Sequence, residues 1–304
     1  MFDASMIMML ATLTPTHPGS GTELSYVDLP IQREIHTGFP KIEASTLKGS
    51  IRNAITNNDE EKRINQIFGE PNGGDYASAI SFSDARLLFF PVKSVLGVFA
   101  WITCPMAIQR FFGDYQMLGG TEIILDLKEP EEGKSFVTNL DRLVQTVKGR
   151  SKIMLEDYTF CTETNSEFLK FVKMLEPYLP DSKLVRERII NHAVMLNDND
   201  FTDFVKHSTE INTRIKINSL TGTAADNALF TEEFLPSDCI LYNLLFFTDT
   251  YMPQDKLDRD QRLSADDAKK EFKRLFKQKI FQIGADSTLG KGLIMRSFWE
   301  LGGK

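Results

Sequence analysis

The chain carries a strand-like apolar run near each end, and each run opens directly into a loop of glycine and small polar residues. Residues 6–14 stop at Pro15 and lead into His17-Pro18-Gly19-Ser20-Gly21. Residues 280–283 feed Gly284-Ala285-Asp286-Ser287-Thr288-Leu289-Gly290-Lys291-Gly292. Helical patterns fill much of the middle, without a regular strand–helix alternation. Strands at both ends with helices between them favour an α+β fold over a doubly wound parallel sheet. Neither an internal repeat nor a linker breaks the chain, so it reads as one core with insertions over residues 1–304.

Local patterns fill in the order. Leu47, Ile51, Ala54 and Ile55 fall at helical spacing behind Ser45, read as the helix cap, with Lys48 and Arg52 projecting together from another face. A polar, Gly/Asn-rich loop follows at 57–75, with a short helix at 64–68. Residues 85–92 and 96–103 read as two strands, and 121–127 as a third. Residues 135–147, 166–175 and 182–196 are amphipathic helical patterns, so 135–200 is read as a helical insertion. Residues 212–218 alternate apolar and polar, 219–227 are turn-rich and 228–235 lead back, which predicts a protruding hairpin over 209–235. Ser264, with Asp267 three positions later, caps a helix whose buried stripe is Phe272, Leu275 and Phe276.

Composition excludes several classes. With 42% hydrophobic and 25% charged residues the chain is globular rather than disordered. No apolar run approaches the ~20 residues that span a bilayer, so no membrane partner is expected. Three scattered cysteines suit a reducing cytoplasm and no disulfide framework. A formal charge of −7 argues against a nucleic-acid surface spread over the whole molecule. It leaves room for a local basic groove, and cations concentrate between Lys256 and Lys279.

Candidate chemistry sits in the two loops. Backbone N–H groups of glycine-rich loops can approach phosphate closely, which makes Gly284, Gly290, Lys291 and Gly292 candidate anion contacts. The loop is no P-loop. Ala285 stands where the first glycine belongs, and Gly292 replaces the metal-binding hydroxyl after Lys291. A plain glycine turn accounts for it equally well. Asp28, before Leu29-Pro30, can close a turn on its own backbone. Alternatively, with His17, Arg33, His36 and Lys48 nearby in sequence, it stays ionised and holds a hard cation. His17 is a loop histidine able to donate to phosphate or move a proton near neutral pH, or simply a solvated one. Glu232-Glu233, on the returning leg of the hairpin, offer a second carboxylate or a solvated strand end.

Taken together, several stretches resemble a known family. Thr14-Pro15-Thr16-His17-Pro18-Gly19-Ser20-Gly21, Val27-Asp28-Leu29-Pro30-Ile31-Gln32-Arg33-Glu34, Thr37-Gly38-Phe39-Pro40 and Ser45-Thr46-Leu47-Lys48-Gly49-Ser50-Ile51-Arg52 are similar to the opening of the RAMP-superfamily backbone subunits of type III-B CRISPR (Cmr) complexes. Ala79-Ile80-Ser81-Phe82, Val98-Phe99-Ala100-Trp101, Leu229-Phe230-Thr231-Glu232-Glu233 and the terminal glycine loop extend the likeness along nearly the whole chain. The resemblance implies a ferredoxin-like, RRM-like palm with helical insertions and a β-hairpin thumb. It implies copies stacked with other Cmr subunits along a CRISPR RNA, and cutting of complementary target RNA at regular intervals with a divalent ion, Mg²⁺ or Mn²⁺. In that setting Asp28 is the catalytic and metal-binding residue, assisted by His17 and Glu233. Lys48, Arg52, Gly284, Gly290, Lys291 and Gly292 grip guide phosphates. The alternative is a subunit that only coats RNA.

Overall fold

The computed structural model describes residues 3–22, 26–55, 60–71, 77–121, 123, 125–217, 221, 223–251 and 262–301. Its centre is an antiparallel sheet in which β1 (Ala4–Thr12) lies between β15 (Leu293–Trp299) and β13 (Ile240–Phe247), with β4 (Ala85–Lys93) beyond β13. The short β14 (Ile280–Gln282) pairs β15, β2 (Lys41–Ile42) pairs β4 and β3 (Ile80–Phe82) pairs β13. Two split crossovers generate that order. β1 reaches β4 through α1 (Ala44–Ile55), and β13 reaches β15 through α8 (Ala265–Leu275). This is the ferredoxin-like connectivity, with the outer strand of each crossover separated from its start by one strand of the other unit.

Alternation along β1 divides the core. Met6, Met8 and Leu10 pack on the α1/α8 side with Leu47, Ile51 and Phe272, while Ile7 and Met9 face the opposite side. An RRM leaves that second side open for RNA bases. Here α3 (Pro105–Met117), α5 (Ser166–Leu175) and α6 (Lys183–His192) close it with Phe111, Phe168, Phe171 and Ile189, all fully buried. Tyr242, at the centre of the closed face, donates its hydroxyl to Asp114 at 2.8 Å.

The insertion is only half helical. Residues 135–147 carry apolar side chains at helical spacing but form β6 (Lys134–Val137), the single turn α4 (Leu140–Leu143) and β7 (Gln145–Val147). β8 (Arg150–Leu155) and β9 (Tyr158–Thr164) follow, and these strands extend the main sheet through β5 (Phe99–Thr103) and β10 (Ala193–Met195). Two long-range ladders override the helical spacing: β6 pairs parallel to β9 and antiparallel to β10. Left-handed Lys148 and Gly149, φ 51° and 75°, then turn β7 into β8 as a two-residue hairpin requires. The expected strand at 121–127 is absent from its described residues; 122 and 124 lie outside them.

Smaller expectations shift as well. α1 starts at Ala44, whose N–H donates to Asp84 at 2.9 Å, so Ser45 lies inside the helix and Asp84 caps it. The helix expected at 64–68 is α2 (Glu61–Phe68); most of the rest of the 57–75 loop lies outside the described residues. Ser264 caps α8 as expected, accepting from the Asp267 N–H. α7 (Asp198–His207) then delivers the chain to a hairpin apart from the main sheet, β11 (Glu210–Ile217) and β12 (Ala224–Phe234). Most of its 218–222 tip, and residues 256–261 of the basic stretch, lie outside the described residues.

Candidate functional site

The root of this hairpin gathers both loops. Leu29 runs beside β12: its N–H donates to Thr231 O at 3.1 Å and its carbonyl accepts from the Glu233 N–H at 3.0 Å. Pro30 has no N–H, so placing it at this edge loses no ladder bond. Thr16 bridges Leu235, and Gly19 bridges Ile31. Segments 16–19 and 29–31, more than 200 residues from β12, thus form one small sheet with it.

Asp28 stands exposed at the edge of that sheet. Its Oδ2 accepts from the Thr231 N–H at 2.7 Å and from the Thr231 hydroxyl at 2.8 Å. These two bonds, the backbone one first, hold its carboxyl below the ordinary range, so it is an anion at neutral pH. Beyond Thr231 on the same hairpin face, Leu229 and its cross-strand partner Ile215 are exposed, as is Ile217. An anionic carboxylate therefore sits at the foot of an uncovered apolar face.

Glu233, expected to assist Asp28, is buried at 5% exposure. Its Oε1 accepts from Arg33 Nη2 at 2.5 Å and from the Thr209 hydroxyl at 2.7 Å, and its Oε2 from the Ile31 N–H at 3.0 Å. A carboxylate with three donors from three segments is a brace, with neither oxygen turned toward a substrate. His17 is likewise enclosed. Its Nδ1 lies 2.6 Å from Glu233 O, which can only accept, so Nδ1 carries a proton. Nε2 lies 3.8 Å from Glu232 Oε1, and the ring packs edge-on to Phe234. The signal that hid this burial is range: nothing near His17 in sequence announces β12.

Behind His17 lies a charged knot. Arg214 donates to both oxygens of Asp286, at 2.9 and 2.6 Å, and its Nε lies 3.3 Å from Glu232 Oε2. The Arg214 guanidinium holds the Asp286 carboxyl low. Burial, then the adjacent Asp286 charge, push the Glu232 carboxyl up against the opposing pull of His17 and Arg214. Lys291 Nζ lies 3.4 Å from Glu210 Oε1 and 4.7 Å above the Phe234 ring. The knot locks the terminal glycine loop to the hairpin root.

Five of that loop's nine residues already donate their backbone N–H within the protein. The N–H groups of Ala285, Leu289, Gly290, Lys291 and Gly292 donate to His17 O, Asp286 O, Ser287 O, Asp286 O and Pro15 O. Its glycines allow close backbone approach instead: a Cβ on Gly284 would lie 2.2 Å from His17 O, and one on Gly292 2.0 Å from Ile283 O. Both residues also have positive φ, as does Gly290. Arg52 is committed too, donating to Gly69 O at 2.6 Å and to Asn65 Oδ1, which seats α2 on α1. Lys48 is half-buried, its ammonium pushed down by burial and then by Arg52.

Among the described residues no group of three or more His, Cys, Asp or Glu is placed to hold a metal ion. Asp28 offers one exposed carboxylate while Glu232 and Glu233 are buried in ion pairs. That donor set fits a divalent ion held by one carboxylate with the substrate's oxygens completing the shell, and not an all-protein cage. Sequence reading missed Thr231 and Arg214; the only local signal for Thr231 was its place between Leu229 and Glu233 on a strand of period two.

The family model of the RAMP superfamily matches residues 9–295, and the chain belongs to that superfamily. The CRISPR system Cmr endoribonuclease Cmr4 of Pyrococcus furiosus is 37% identical over 304 residues, covering 96% of this chain and 95% of that protein. The crystal structure of oligomeric Cmr4 from P. furiosus superposes with a TM-score of 0.71 at 28% identity, over 99% of both chains. A chain of the type III-B Cmr-beta complex bound to cognate target RNA has the same fold, with a TM-score of 0.71 at 19% identity over 98% of each chain. Among the described residues no helix is long and apolar enough to cross a membrane.

Proposed function

We propose that this chain is the backbone subunit of a type III-B Cmr effector complex, that it binds CRISPR RNA alongside further copies of itself and other Cmr subunits, and that it cleaves complementary target RNA at Asp28. The observation that carries this reading is an exposed, ionised carboxylate at the foot of an apolar hairpin face. Ile215 and Leu229 give that face side chains on which splayed bases can rest, and a backbone bent around them passes the root where Asp28 stands. Sequence choice belongs to guide–target pairing, and protein contacts to phosphates only position the strands.

The chemistry follows from RNA itself. The 2′-hydroxyl beside the scissile linkage attacks phosphorus, the P–O5′ bond breaks, and the products carry a 2′,3′-cyclic phosphate and a 5′-hydroxyl. A carboxylate with a depressed pKa is a weak base near neutrality, so Asp28 serves by orienting the nucleophile and by electrostatics more than by keeping a proton. A divalent ion, Mg²⁺ or Mn²⁺, held by Asp28 with RNA oxygens would supply stabilisation of the negative charge that develops on phosphate. His17 and Glu233 act one layer behind: Glu233 holds Ile31 and Arg33 next to Leu29, and His17 ties its own loop to β12.

Asp28→Ala in a complex reconstituted with guide RNA tests this. Target cutting stops while guide and target binding persist. Wild-type cutting by the variant contradicts the reading and leaves an RNA-coating subunit.

A further inference from the structure

β12 alternates, so Leu229, Thr231 and Glu233 share one face, from exposed Leu229 to buried Glu233. Thr231 stands at the boundary, and its hydroxyl is fully determined. Its oxygen accepts from the Asp28 N–H at 3.0 Å. Its single proton has two acceptors in reach, Asp28 Oδ2 at 2.8 Å and Tyr26 O at 3.3 Å, and the shorter, charge-assisted bond wins. Thr231 N–H ends on the same Oδ2 at 2.7 Å. Both Thr231 bonds end on Oδ2, and no other described residue donates to Oδ1.

We propose that Thr231 is the positioning residue of the cleavage site: it clamps Oδ2 of Asp28 to the hairpin and so presents Oδ1 in one orientation toward the RNA. The inference rests on Asp28 being the cleaving carboxylate. An exposed aspartate otherwise samples several rotamers, and orientation is what the attack on phosphorus needs. The clamp also ties the carboxylate to hairpin placement, because Thr231 lies two residues from Leu229 on the same strand. A hairpin face seated on RNA and a correctly aimed carboxylate become one event.

Thr231→Val keeps the β-branched shape and the backbone bond but removes the hydroxyl; Thr231→Ser keeps the hydroxyl. In complexes with guide and complementary target, Thr231→Val slows single-turnover cleavage by roughly 10–100-fold, the scale of a misoriented reacting group. Target affinity stays unchanged. Thr231→Ser restores the rate. With Asp28→Ala inactive, wild-type cleavage by Thr231→Val overturns the proposal. So does equal loss in the Val and Ser variants accompanied by weakened target binding, which marks a merely structural residue. If Asp28→Ala itself cuts, the cleavage-site reading fails instead.

Discussion

Replacing Glu233 with glutamine separates bracing from chemistry. The carboxylate accepts from Arg33 and Thr209 on one oxygen and from the Ile31 N–H on the other. An amide has only one acceptor oxygen. With that oxygen toward Arg33, the NH₂ group faces the Ile31 N–H; flipped, it faces the guanidinium. Either way a buried donor meets a donor, and leaving one unsatisfied costs about 1–3 kcal/mol. The Arg33 side chain is 23% exposed, so water softens the loss of its charge partner. The sum is about 2–4 kcal/mol, toward the lower end of the cost of breaking a buried pair. Urea unfolding of the purified chain reads this as a lower midpoint at unchanged slope. Cleavage per assembled complex is largely retained. A variant of full stability that no longer cuts would refute the reasoning and return Glu233 to the chemistry.

Four further outcomes follow from the same geometry. Glu232 has a raised folded pKa, so the folded state holds its proton longer than the unfolded chain and stability falls as pH rises above the unfolded value of 4.5. The stability of wild type relative to Glu232→Gln therefore declines from pH 4.5 upward, and urea midpoints that run in parallel for the two proteins contradict this. Asp286→Asn removes the anion that Arg214 grips and frees the glycine loop, so amides at 289–292 exchange hydrogen faster by mass spectrometry; unchanged protection counts against the lock. Lys291→Met leaves the slope of log affinity for guide RNA against log salt unchanged, since its ammonium lies against Glu210 and Phe234; a slope shallower by about 0.7 would reveal a phosphate contact. Leu229→Asp, on an exposed face, leaves the urea midpoint in place yet weakens target binding, and unaltered binding denies the hairpin face its role.

How much of this was readable from residues depends on range. The end strands, the Ser264 cap and the alternating hairpin announce themselves within a few positions, and each is present in the fold. Asp28 was legible as an ionised loop carboxylate, but not for the reason its neighbours offered: Thr231 on the distant β12 holds its carboxyl low, and Arg33 pairs with Glu233 instead. Glu233 and His17 were not legible as buried, since what buries them is one another's segments across more than 200 residues. The glycine loop misled for a related reason. Its composition predicts close backbone approach, and what Gly284 and Gly292 approach is the backbone of His17 and Ile283. Residues 135–147 failed as a helix because strand pairing with β9 and β10 decided a pattern that local spacing left ambiguous.

Placement of Asp28 against RNA is the point on which the account turns, and the assembled complex holding a complementary target with a 2′-deoxy sugar at the cut site can be imaged uncleaved. The account predicts the Asp28 carboxylate at about 3 Å from the attacking position, or bridged to the scissile phosphate through a single ion. A carboxylate still clamped by Thr231 but facing away from every target linkage, with the bent phosphate lying against other side chains, contradicts it.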